Sequence, residues 1–122
     1  MKVRETSMNL KRFEADEKLQ KVNALKQMIN DFDLMANELR LQVLAEEERT
    51  GIRDASHFAY STFARSAAQR RDNLMESITD LKAKLETAIT EREEILAEIE
   101  QADSAHQHTR LHKNNTHPHP AG

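Results

Sequence analysis

One glycine constrains this chain more than any other residue. Gly51 is the only glycine before the C-terminal residue, and the long charged segments on either side of it carry almost no helix breaker. The stretch from Glu5 to Arg49 is 45 residues, and so is the stretch from Ser56 to Glu100. Glycine best tolerates the left-handed backbone just past a helix C-terminus. Asp54, Ser56 and Ser61 follow it as successive candidate N-caps. The pattern predicts a helix over 5–49, a turn over 50–55 and a second helix over 56–101.

The apolar spacing says how such helices pair. In the first arm Val22, Leu25, Ile29, Phe32, Ala36, Leu39 and Val43 fall at alternating steps of three and four, the seam of a left-handed coiled coil. Met28 and Met35 widen that stripe. Toward the N-terminus Leu10 and Phe13 do not continue it, and Lys18 falls where an apolar residue is due, so a slip of register is expected there. In the second arm Leu74, Ile78, Leu81, Leu85, Ala88, Ile95 and Ile99 keep one register, with Arg92 interrupting it. Extended backwards, the register reaches Arg71, Ala67, Ala64 and Tyr60. Layers that thin bury little area, which predicts low stability near the turn.

Charge sets the direction of pairing. Residues 1–26 balance to +3, 27–50 to −4, 51–75 to +2 and 76–103 to −6. Folding back at Gly51 lays opposite signs side by side, whereas a parallel pairing would lay like beside like. Each exposed pair adds only about a few tenths of a kcal/mol, so the sum acts on orientation more than on stability. The expected fold is therefore all-α: two long helices in an antiparallel coiled-coil hairpin over 1–103, with facing residue numbers summing to about 106. Leu10 and Phe13 would meet Ile95 and Ile99, Leu25 would meet Leu81, Arg92 would lie near Glu14, and Arg71 near Asp33 and Glu38.

From about residue 104 the character changes. Residues 104–122 hold both prolines and five of the six histidines without periodicity, and read as a disordered tail. His106 with His108, or His117 with His119, could capture zinc, but the stretch has no cysteine and no packed neighbours to orient the rings. No metal or other cofactor is expected.

Several function classes find no footing. A net charge of −3 argues against nucleic acid, and no apolar run is long enough for membrane insertion or for a signal-peptide core. The absence of cysteine rules out disulfides and fits a cytosolic chain. No phosphate-binding loop, metalloprotease pair or nucleophile elbow occurs, so no catalytic residue is assigned and an enzyme is the least expected class. Glu46, Glu47 and Glu48 read as a solvated face, with an acidic docking patch as the alternative. His57 reads as a turn residue.

The informative local feature is aromatic. Phe58, Tyr60 and Phe63 fall within six residues, out of five aromatics in the chain. They either close the end of the hairpin or present a contact surface, with Arg70 and Arg71 alongside.

The segment Asp54-Ala55-Ser56-His57-Phe58-Ala59-Tyr60-Ser61-Thr62-Phe63-Ala64, followed by Ala67-Ala68-Gln69-Arg70-Arg71-Asp72-Asn73-Leu74, resembles the alphaproteobacterial branch of the flagellar export protein FliJ. The opening Leu10-Lys11-Arg12-Phe13-Glu14-Ala15-Asp16-Glu17-Lys18 is similar to the start of that branch. The chain departs from it at Ser61, where proline is expected, and in the tail, where a continuing second helix is expected. The resemblance implies an antiparallel coiled coil and a non-enzymatic component of the flagellar type III export apparatus, cytoplasmic and peripheral to the inner membrane at the flagellar base. It implies three partners: the export ATPase ring, the cytoplasmic domain of the export gate, and export chaperones. Lys2, Arg4, Lys11 and Arg12 would then face the ATPase, and Phe58, Tyr60, Phe63, Arg70 and Arg71 the gate. A generic coiled-coil adaptor in another assembly is the alternative.

Overall fold

The computed structural model describes the backbone of residues 2–115 and the side chains of residues 3–108. Two helices, α1 (Lys2–Thr50) and α2 (Thr62–Asn115), lie in close antiparallel contact. Neither contains glycine or proline, and Ala, Leu, Glu, Lys and Arg supply much of both, so nothing local interrupts the backbone ladder. Two compact units divide the chain: Lys21–Thr87 around the turn, and the chain up to Gln20 together with that from Ala88 onward.

In the turn unit the seam follows the spacing. Val22, Leu25, Ile29, Ala36, Leu39 and Val43 are buried and Phe32 is half-buried. From the other side come Tyr60, Ala64, Ala67, Ile78 and Leu81, all buried, with Arg71, Leu74 and Leu85 half-buried. The small layers nearest the turn are not left thin. Leu39, Val43, Tyr60, Ala64 and Ala67 form one cluster, and Ile52, Ala68 and Leu74 pack against it.

The terminal unit departs from expectation. Leu10 and Phe13 are 57% and 59% exposed and meet neither Ile95 nor Ile99 in a core. Register does not slip there. The seam runs on unbroken at the same three- and four-residue steps through Lys18, Ala15, Lys11 and Met8, of which Ala15 and Met8 are buried. At 100° per residue, Leu10 and Phe13 lie almost opposite that seam, so no small slip could turn them inward. The two lysines occupy apolar positions because a long stem can lie along the seam while its ammonium reaches out. Lys11 Nζ meets Glu98 Oε2 at 2.5 Å, and Lys18 pairs with Glu91. With Arg12–Asp103 at 3.6 Å, these ion pairs join the basic first block to the acidic last block, as the charge pattern predicts.

Facing pairs sum to 107 beside the turn (Glu46–Ser61, Glu47–Tyr60) and to 109 at the two seam lysines. The seam arginines are answered differently from the expectation. Arg71 bonds its neighbour Asp72 at 3.1 Å, while Asp33 only shares a groove with it. Arg92 is half-buried and its Nε has no hydrogen-bond partner, so Glu14 does not answer it there.

Both ends of α2 also differ from the sequence reading. The helix begins at Thr62 rather than Ser56, because residues 54–60 close local turns instead. It continues through residues 104–115, where a tail without structure is expected. Extending an existing helix avoids the nucleation cost, and the first proline comes only at Pro118. The rest of that tail, residues 116–122 with His117 and His119, lies outside the described residues.

Candidate functional site

The turn is built by side chains that hold their own backbone. Gly51 has φ of 74° and donates its N–H to the Glu47 carbonyl at 2.8 Å, which closes α1 through a left-handed residue. A β-carbon at Gly51 would meet nothing within 4 Å, so the demand for glycine is conformational. Asp54 Oδ1 then accepts the Ser56 hydroxyl at 2.7 Å and the Ser56 amide at 2.9 Å. Those bonds, the hydroxyl first, hold the Asp54 carboxyl below the usual carboxylate range. Two further turns follow, His57 N–H to Asp54 O and Tyr60 N–H to His57 O, each at 3.0 Å.

Ser61 is the N-cap that α2 uses. Its Oγ accepts the Ala64 amide at 3.1 Å and donates to Glu46 Oε1 at 2.9 Å. Glu46 also accepts from Arg49 at 2.5 Å, and the Arg49 bond, then the Ser61 bond, lowers its pKa. Glu47 receives the Tyr60 hydroxyl at 2.8 Å. That bond, followed by burial, raises the Tyr60 pKa. The reading of residues 46–48 as a solvated face therefore fails at Glu46 and Glu47, which anchor the turn, and holds at Glu48, which is exposed.

The three aromatics separate. Tyr60 is only 7% exposed, with the Arg65 guanidinium 5.7 Å from its ring centre. It is a core residue, not part of a free surface. Phe58 is 95% exposed and Phe63 is exposed as well. His57 stacks on Phe58 with ring centres 4.7 Å apart, and its Nδ1 accepts the Ala59 amide at 3.0 Å. This imidazole braces the turn, as a turn residue would.

The cations separate too. Arg70 is exposed and lines a groove with Met35, Glu38, Leu39 and Gln42, whereas Arg71 is half-buried in the seam. In the terminal unit Lys11 is committed to Glu98, whose hydrogen bond and charge raise its pKa. Arg12 is exposed and lines a groove with Arg4, Met8, Ala102, Asp103 and His106. The side chain of Lys2 lies outside the described ones.

The side chains this arrangement leaves open to contact include Phe58, Phe63, Arg12 and Arg70. Among the described residues no three His, Asp or Glu side chains gather as a metal site requires, and no helix is long and apolar enough to cross a membrane. Residue order alone could have found the anchoring role of Glu46 and Glu47. Folding at Gly51 puts them opposite Ser61 and Tyr60, and a tyrosine facing a carboxylate is a hydrogen-bond pair. No known protein family, curated protein or solved structure matches the chain.

Proposed function

We propose that the chain is a non-enzymatic component of the bacterial flagellar type III export apparatus. In this reading it binds and stimulates the export ATPase, and it contacts the export gate and export chaperones. The observation that carries the reading is the turn, where the segment most similar to the family, residues 54–74, leaves Phe58 and Phe63 uncovered while Tyr60 is committed to the core. An aromatic held 95% exposed on a turn braced by four side-chain hydrogen bonds is an anchor in want of a pocket. In this reading the ATPase ring is met at the terminal end, where Arg12 is exposed and Lys11 is paired with Glu98.

The test is ATP hydrolysis by the cognate export ATPase with and without the chain. Stimulation should rise with added protein and should weaken in Lys11→Ala/Arg12→Ala. Phe58→Ala should leave stimulation intact and weaken binding to the gate domain instead. Absence of stimulation at any ratio, together with normal swimming of a deletion strain, would dismiss the reading.

A further inference from the structure

The outer face of α1 is apolar where that of α2 is not. Within the turn unit Met28, Leu34, Met35, Leu41 and Leu44 all stand exposed on α1, with Leu34 at 63%. Leu34 and Leu41 are seven residues apart and lie nearly opposite the seam, with Leu44 one turn beyond Leu41, whereas Met28 and Met35 border the seam. The equivalent outward positions of α2 are Ser66, Gln69, Asn73, Glu76, Asp80 and Ala83, which include no large apolar side chain. Scattered exposed apolar residues are ordinary on any surface, but Leu34, Leu41 and Leu44 stand on adjoining rows of one helix within 11 residues.

Charge identifies what would cover it. Asp31 and Glu38 lie on the same outward stripe as Leu34 and Leu41, and both are exposed. Arg40 is the single cation between Gln27 and Leu44, and its guanidinium is held on Asn37 at 2.9 Å. A second copy pairing antiparallel through Leu34 and Leu41 would centre on Asn37 and Glu38, bringing Glu38 against its own counterpart. Like charge disfavours that dimer. We propose that residues 28–44 of α1 dock an amphipathic helix of a partner protein, its apolar stripe on Leu34 and Leu41 and its Lys or Arg residues on Asp31 and Glu38. This surface is distinct from Phe58 and from Lys11–Arg12, and it does not rest on the export reading.

Two fluorescent helical peptides of about 20 residues test it against the full chain. Both carry leucine at the three- and four-residue spacing; one is flanked by lysine, the other by glutamate. Anisotropy should show the lysine peptide binding the wild type, with about tenfold or greater weakening in Leu34→Glu/Leu41→Glu. Asp31→Lys/Glu38→Lys should weaken the lysine peptide and strengthen the glutamate peptide. All four positions are exposed, so circular dichroism of the variants should match the wild type. No binding of the lysine peptide overturns the proposal, as does equal binding to the wild type and the leucine variant. A wild-type dimer in sedimentation that Leu34→Glu/Leu41→Glu dissolves would also overturn it, since the occupant would then be a second copy.

Discussion

Around the turn, the seam is filled by Leu39, Val43, Tyr60, Ala64 and Ala67, with Ala64 fully enclosed. In the terminal unit the corresponding steps hold Met8, Lys11, Ala15 and Lys18, faced by Ala88, which is buried, and by Arg92, Ile95 and Ile99, which are only half-buried. One repeat therefore runs through two chemistries. Near the turn it removes apolar surface from water, at about 25 cal/mol for each Å². Near the termini it places ammonium groups beside Glu91 and Glu98, half in water, where ion pairs contribute about 0–1 kcal/mol and fade with salt. A heptad specifies where helices touch; the residues in it decide how firmly.

The comparison breaks most readily by cutting equivalent positions. Leu39→Ala should destabilise the chain by about 2–4 kcal/mol in urea unfolding, through lost burial and a cavity. Met8→Ala should cost less than about 1 kcal/mol by the same measurement, because its layer is bounded by Lys11 and by exposed neighbours. Equal losses at the two sites would show that both units are packed alike.

A second substitution should reverse sign between the units. Lys18→Leu removes an ion pair and restores an apolar seam, so thermal unfolding should show stabilisation by about 1 kcal/mol. Loss of stability in that variant would mean that the Lys18–Glu91 pair holds its unit together.

The smallest effect comes from pH. Glu46 and Asp54 have folded pKa values held below their ordinary ones, by Arg49 and by Ser56 respectively. A lowered value means stability that is present above the unfolded pKa and is lost as pH falls through the folded one. Acidification below the ordinary carboxylate range should therefore loosen the turn, seen as faster amide exchange at Gly51, Ser56 and Ala64, and Glu46→Gln should flatten that response. Lys11 and Tyr60 have raised values, so their contributions are lost as pH rises instead. Alkali thus touches both units, and exchange at Gly51, Ser56 and Ala64 is what reads the turn by itself.

Much of the fold was legible because periodicity survives folding. The runs Val22 to Val43 and Ala64 to Ile99 keep one spacing, and Gly51 marks the reversal. What misled was treating hydrophobicity as a guide to facing. Leu10 and Phe13 are apolar yet point outward, while Lys11 and Lys18 are charged yet lie in the seam, because a continuous helix cannot rotate to suit four side chains. The second helix start was missed because Asp54 and Ser56 bond each other as readily as either would cap a helix. At the candidate site the sequence showed three aromatics together. Only the paired carboxylate at Glu47 tells Tyr60 from Phe58.

The pairing of Lys11 with Glu98 orders events during synthesis. A ribosome makes the first seam residues long before anything exists for them to meet, and Leu39 and Val43 wait only until Tyr60 to Ala67 have emerged. Met8, Lys11 and Ala15 wait until Glu98 and its neighbours have emerged, so this earlier-made stretch of the seam is sheltered later than Leu39 and Val43.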